Sequence, residues 1–192
     1  MKRVFDVVAS ASALLALSPL LAVIGIAVKI SSPGPVLFRH VRVGQGFEEF
    51  PVLKFRTMSE SSGGMQITAA GDARITPVGR LLRQYKFDEL PQLVNVLRGE
   101  MSVVGPRPEV AKYVDLIDDY REVLKVRPGL TDPASLTYRH EQELLDQQSD
   151  PESYYEQELL PSKVALSLGY VRTQSFFGDL ALIYKTIKAI SK

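Results

Sequence analysis

Asp88 and Glu89 stand side by side in "YKFDELPQLVNVL" (85–97), with Pro91 two places further on. Adjacent carboxylates before an apolar helical run can cap the helix by accepting from its free N–H groups. They can also hold a divalent cation or attack an electrophilic phosphorus. Pro91 suits the capping reading, since a first-turn proline gives up an N–H that has no partner there. The surrounding cations favour chemistry. Lys54 and Arg56 alternate on a predicted strand, and Arg80 and Arg83 lie one helical turn apart, with Arg83 five residues before Asp88. Arg107 sits in "GPRP" between Pro106 and Pro108, whose rings limit its backbone freedom and suit pre-organised phosphate binding. Arginines grouped with two acids and a helix start read as a phosphate site holding a divalent cation. There the acids would hold Mg²⁺ or attack phosphorus, while metal and arginines carry the charge of the transferring group. From these residues alone, cap and catalyst both remain open.

The chain as a whole narrows the choice. Its 192 residues make one sizeable domain, or a small domain with an appendage. A net charge of +1 gives no case for nucleic acid as a partner. There is no cysteine, so disulfides, thiolate zinc sites and cysteine nucleophiles are excluded. The two histidines, His40 and His140, lie far apart and read as ordinary surface or core residues; a Ser/His/Asp triad has little support. Asp115, Asp118 and Asp119 read as a solvated helix face, not a metal site.

The elements that must position the acids begin with an apolar stretch. From Val7 to Val28 there is no charge, which is long enough for a helix to cross a hydrocarbon core of about 30 Å. The stretch is too long for a cleaved signal peptide and lacks a cleavage site after it. Two readings remain, a single-pass anchor and a helix that enters and returns on one side. Ser18-Pro19 at its middle favours the second: Pro19 removes a helix hydrogen bond, and the Ser18 hydroxyl can re-satisfy the freed carbonyl inside lipid. Lys2 and Arg3 before the stretch, and Lys29, Arg39 and Arg42 after it, put positive charge at both ends. Beyond "SSPGP" (31–35), strands are predicted over 36–43 and 50–58 around a turn at 44–49, then a loop over 59–79. Helices are predicted over 80–87, over 90–99 with Gly99 at its C-terminal cap, and over 111–126. Further helices follow over 151–171, broken at Pro161, and over 176–190. The last carries Phe176, Phe177, Leu180, Ile183, Tyr184, Ile187 and Ile190 in one stripe, with Lys185, Lys188 and Lys192 near its end; it reads as a core helix or one lying on a bilayer.

"KFRTM", "DELPQLVNVLRGEMSVVGPRPE", "VRVGQGF", "SPGPVLF" and "VRPGLT" together resemble the small monotopic phosphoglycosyl transferases, bacterial polyprenyl-phosphate sugar-1-phosphate transferases, over essentially the whole chain. The resemblance implies an α+β, membrane-embedded monotopic protein. Residues 1–30 would be a re-entrant membrane helix broken at Ser18-Pro19. Residues 31–192 would be a small, mainly helical cytoplasmic catalytic domain with a short β-hairpin and interfacial amphipathic C-terminal helices. It implies transfer of a phospho-sugar from a UDP-sugar to polyprenyl (undecaprenyl) phosphate with release of UMP, dependence on Mg²⁺, and a place on the cytoplasmic face of the bacterial inner membrane. Asp88 then matches the nucleophile that forms a covalent phospho-sugar, and Glu89 the partner in metal binding or proton transfer. Lys54, Arg83 and Arg107 match phosphate-contacting positions, and Arg127 is a further candidate ligand. Many relatives follow "RPG" with a "GLAQV"-like stretch, whereas this chain reads "LTDPASLTYRHE", so uridine and sugar contacts are not carried over for 130–141. The sugar, the glycan pathway and homodimer formation are not set by the resemblance. The rival readings are a non-catalytic single-pass membrane-anchored interaction module, with the acids as caps, and a single-pass phosphate-ester hydrolase.

Overall fold

The computed structural model describes residues 1–59 and 74–190. Most of the predicted 59–79 loop, and Lys192, therefore lie outside the described residues. The chain is mainly helical with two small two-stranded sheets, an α+β arrangement led by one long apolar helix.

Helix α1 (Lys2–Ser31) runs unbroken through Pro19, so the helix break expected at Ser18-Pro19 is not seen. Proline lacks the N–H that would bond the carbonyl four residues back, which here belongs to Leu15. The Ser18 hydroxyl donates to that Leu15 carbonyl at 2.8 Å, so the freed acceptor is satisfied and the helix does not end. The helix is inside out by soluble standards. Leu15, Val23, Ile26 and Ile30 are exposed, while Asp6 and Ser10 are buried. Asp6 accepts from the Ser102 hydroxyl (2.9 Å) and the Val103 N–H (3.1 Å). Lys2 pairs with Asp179 and donates to the Tyr170 hydroxyl and the Val104 carbonyl. Arg3 donates to the Val96 and Leu97 carbonyls. Near the other end, Ile24 and Val28 are buried with Phe55 and Leu82, and Arg56 donates to the Val28 and Ser32 carbonyls. Both halves of α1 thus rest on the rest of the chain, and between them none of residues 11–19 is buried.

Strands β1 (Leu37–Val43) and β2 (Glu49–Phe55) form the predicted antiparallel hairpin, with Phe38 opposite Lys54, His40 opposite Val52 and Arg42 opposite Phe50. Pro51 is tolerated because a two-stranded sheet has only edges. Helix α2 (Pro77–Gln84) starts three residues before the predicted 80, because the Thr76 side chain caps it by accepting from Gly79 N–H with Pro77 in the first turn. Helix α3 (Gln92–Arg98) closes at Gly99 as expected. Strands β3 (Ser102–Val104) and β4 (Gly129–Thr131) pair in parallel. The helix predicted over 111–126 is instead two single turns, α4 (Ala111–Val114) and α5 (Tyr120–Val123). The poor helix formers Asp115, Asp118 and Asp119 sit at the interruption, exposed as the sequence led one to expect.

Short helices α6 (Pro133–Thr137), α7 (Glu141–Asp146) and α8 (Pro151–Tyr154) lead into α9 (Leu160–Thr173). The predicted break at Pro161 does not occur. A widened turn over Tyr155–Leu159 joins α8 to α9, and a turn of that pitch accommodates a ring that a regular turn would clash with. The main core gathers Val110, Tyr113, Val114, Tyr120, Val123 and Leu124 against Leu159, Leu160, Val164 and Leu168. Helix α10 (Phe176–Ile190) turns Asp179 inward and leaves Phe177, Tyr184 and Ile187 exposed, at 81%, 67% and 63%. An exposed apolar stripe of that size excludes the core-helix reading of this face.

Candidate active site

Lys54 stands near the open end of the hairpin, on the face it shares with Phe38. The acids are delivered by a reversal. After α2, Lys86 adopts a left-handed backbone (φ 56°), which costs a non-glycine residue about 1 kcal/mol, and a single tight turn over Phe87–Glu89 follows. This reversal brings Asp88 inside, 7% exposed. No side chain caps α3, whose N-terminal flank is Pro91, so the acids are not serving as its cap.

Arg83 and Arg107 are placed by close backbone approaches. A Cβ on Gly79 would lie 2.0 Å from the Thr57 carbonyl oxygen, so only glycine lets α2 lie on the end of β2. One turn later Arg83 Nε donates to Thr57 Oγ1 at 2.9 Å. A Cβ on Gly129 would lie 2.0 Å from Gly105 N, and that contact holds "GPRP" against β4. Asp132, wholly buried, caps α6 through Ser135 N–H (2.7 Å) and also accepts from the Arg107 N–H (3.3 Å). With its backbone so fixed, the Arg107 guanidinium forks onto both Glu89 oxygens (2.5 and 3.2 Å), and Lys54 Nζ donates to Glu89 Oε1 at 2.9 Å.

The two acids therefore sit in opposite environments. Burial alone would raise Glu89, but the Arg107 guanidinium and the Lys54 ammonium outweigh it and hold its carboxyl well below the usual carboxylate range. Glu89 in turn raises Arg107. Lys54 is lowered by burial, with Glu89 opposing. Asp88 is raised, first by burial and then by the Glu89 charge. Its Oδ1 is buried and has no hydrogen-bond partner. Neighbouring titratable groups pushed apart in this way mark a site where they do different jobs. Glu89 is committed to two cations; Asp88 has an oxygen free for a reacting centre or a metal.

Lys54, Glu89 and Arg107 are thus brought into direct contact, with Asp88 beside them and Arg83 close enough to act on its charge. Arg127 goes elsewhere. It is exposed, donates to the Gly99 carbonyl, and lines a cavity of about 330 Å³ with Lys2, Arg3, Asp6 and Lys125. Arg56 serves the end of α1, and Arg80 is exposed. Sequence reasoning missed Asp132, although an aspartate before a proline at a helix start is a capping signature. It also missed Glu109, buried under Arg42 (2.8 Å), Tyr155 (2.7 Å) and Lys163 (3.8 Å), which anchors the segment following Arg107. No local pattern announces that cluster.

No group of three or more carboxylates or histidines poised to hold a metal occurs among the described residues. The donor set instead suits a hard divalent cation that takes one carboxylate from the protein and the remainder from substrate phosphate and water. The orphaned Asp88 Oδ1 is the oxygen that could serve.

Buried carboxylates among lysine and arginine, in a chain led by a long apolar helix, suit the handling of anionic groups. The bacterial sugar transferase family model matches residues 1–192. The chain is 40% identical to a UDP-glucose:undecaprenyl-phosphate glucose-1-phosphate transferase of Caulobacter vibrioides, over 98% of this chain and 69% of that one. It is 38% identical to the exopolysaccharide production protein ExoY of Rhizobium meliloti, over 98% and 84%. It is also 38% identical to an Escherichia coli enzyme named for the same activity as the Caulobacter one, over 97% of this chain but 39% of that one. The chain belongs to the bacterial sugar transferase family.

Proposed function

We propose that this protein transfers a sugar 1-phosphate from a UDP-sugar to polyprenyl phosphate, releasing UMP, as the first membrane step of assembling a glycan. The named activities of the Caulobacter and E. coli relatives support the substrates. The observation that carries the chemistry is the unpartnered, buried Asp88 oxygen beside a Glu89 already neutralised by Lys54 and Arg107.

In this reading the reaction is two displacements at phosphorus. An Asp88 carboxylate oxygen attacks the β-phosphorus of the UDP-sugar. The bond from that phosphorus to the bridging oxygen breaks, and UMP leaves with the electron pair. The resulting acyl phosphate joins Asp88 to the sugar phosphate. An oxygen of polyprenyl phosphate then attacks the same phosphorus, the acyl–phosphate bond breaks, and Asp88 is restored as a carboxylate. Arg83 and Arg107, with Lys54, face the developing negative charge. Glu89 keeps Arg107 and Lys54 in place with three accepted hydrogen bonds, and its Oε2, which accepts one of them, retains a lone pair for a metal. Mg²⁺, held through Asp88, would when bound supply charge neutralisation on the diphosphate. Arg127, held at the C-terminal cap of α3 by its bond to the Gly99 carbonyl, would at most meet a remote part of a ligand.

The placement in the membrane belongs to the same proposal: residues 1–30 as a re-entrant helix, and 31–192 as a catalytic domain on the cytoplasmic face of the inner membrane, with α10 on the bilayer surface. It is supported by the contacts of both halves of α1 with one body, by residues 11–19 between them, none of which is buried, and by the apolar stripe on α10. The deciding experiment incubates the protein with labelled UDP-sugar and no acceptor, then digests it. A phospho-sugar is expected on Asp88. Adduct on another residue, or full turnover by Asp88→Asn, would sink the proposal.

A further inference from the structure

The hairpin carries a side-chain set that the reaction above leaves unused. Residues directly opposite in an antiparallel pair share a face. Phe38 with Lys54, His40 with Val52, and Arg42 with Phe50 therefore line one side of the hairpin. It is the side from which Lys54 reaches Glu89 and Arg42 reaches Glu109. On it Phe38 is half exposed (50%), next to the lysine that borders the acids. Its ring lies 5.8 Å from the imidazole of His40. His40 Nδ1 is 3.2 Å from Arg42 Nη2. A guanidinium has only N–H groups to offer, so Nδ1 must accept and the ring proton must sit on Nε2. Arg42 is itself held by Glu109, which keeps this arrangement in place. Burial, then the charges of Arg42 and Lys54, lower His40 to about 4 against the opposing Glu109, so the ring is neutral near pH 7. Among the described residues none accepts from Nε2. The hairpin thus presents an aromatic face and one fixed N–H donor beside the phosphate-binding cations.

We infer that Phe38 and His40 form the nucleobase subsite of the donor, with Phe38 stacking on the pyrimidine and His40 Nε2–H donating to the uracil 4-carbonyl. This rests on the nucleotide-sugar reading above. Aromatic faces stack on any base, so Phe38 gives affinity without choice. Selectivity falls to the donor: uracil offers an acceptor at position 4, where cytosine offers an amino group that is itself a donor. A donor facing a donor leaves both unpaired, which is how a hydrogen-bonding site rejects a near-isostere.

The test measures UMP and CMP binding by calorimetry to the full chain in phosphatidylcholine nanodiscs. Wild type is expected to prefer UMP by about tenfold, the value of one well-made hydrogen bond. His40→Leu should bring the ratio of the two affinities close to one. His40→Gln should keep most of the preference, because Arg42 can hold its carbonyl and leave its N–H₂ as the donor. Phe38→Ala should weaken both nucleotides by a similar factor. Arg39→Gln, on the opposite face, should leave the ratio as in wild type. A wild type without preference, or a His40→Leu protein that keeps it, overturns the subsite. Adduct formation at Asp88 from UDP-sugar separates the two levels: if it proceeds while His40→Leu keeps the preference, only the subsite fails, and if it is absent from wild type, the donor reading fails with it.

Discussion

At the scale of single residues, the acids are the clearest lesson. Asp88 and Glu89 are neighbours of nearly the same chemistry, and the fold makes them opposites by spending Arg107 and Lys54 on one and none of their hydrogen bonds on the other. Their sequence, and that of the nearby arginines, was enough to single them out. The division of labour was not legible, because it depends on which oxygen each cation reaches across 18 and 35 residues of chain. His40 shows the same limit: a lone histidine has no local signature, yet a cross-strand Phe38 and an arginine two places along give it a defined tautomer. It also yields a prediction about stability. Folded His40 titrates at about 4 against an ordinary 6.5, so between these values the unfolded chain binds the extra proton. Its share of stability is complete above pH 6.5 and is lost as pH falls toward 4. His40→Gln should therefore unfold in urea with a smaller loss of midpoint between pH 7 and pH 5 than wild type. An equal loss in both proteins would reject this account.

At the scale of elements, most of the structure was readable from periodicity, turns and caps: the hairpin, α1, α3 with Gly99, and α10. The failures are instructive. The 111–126 pattern has helical spacing, but aspartates interrupt it; Pro161 reads as a breaker, but a widened turn absorbs it. The close approach of β3 and β4 could not be read at all, since it joins glycines that are distant in sequence. Because Gly105 backbone atoms, not a flexible side chain, oppose Gly129, Gly129→Ala should cost about 3 kcal/mol or more in denaturant unfolding. In α1 the Ser18 hydroxyl is the one side-chain donor to the Leu15 carbonyl among the described residues. Ser18→Ala should lower stability in bicelles by about 1 kcal/mol, and Ser18→Thr should restore it. Equal stability of all three would mean that water or a shifted helix turn satisfies that carbonyl instead.

At the scale of the molecule, composition marked the apolar helix but not how it sits. Lys2 and Arg3 read as a positive flank of the apolar stretch; the structure engages both with the domain, Lys2 at Asp179 and Arg3 at the Val96 and Leu97 carbonyls of α3. The proposed re-entrant placement keeps these ties on the same side of the bilayer as the contacts of Ile24 and Val28, in accord with one body touching both ends. The chain has no cysteine, so single ones report cleanly. A cysteine placed ahead of Met1, or Lys29→Cys, should react with impermeant maleimide in inside-out vesicles and in neither case in right-side-out ones. Labelling of the two from opposite sides would refute the re-entrant placement.

The tie between Lys2 and Asp179 spans 177 residues. A ribosome adds about 5–20 residues per second, so roughly ten to thirty seconds separate the synthesis of its two ends. Lys2 is made before Ser102, and Ser102 before Asp179. Until Ser102 and Val103 are made, Asp6 lacks the donors it has in the folded chain, and until Asp179 is made Lys2 lacks its carboxylate partner there. On the membrane placement proposed above, biogenesis has two stages: insertion of the apolar helix, and a later docking in which the finished domain closes onto it.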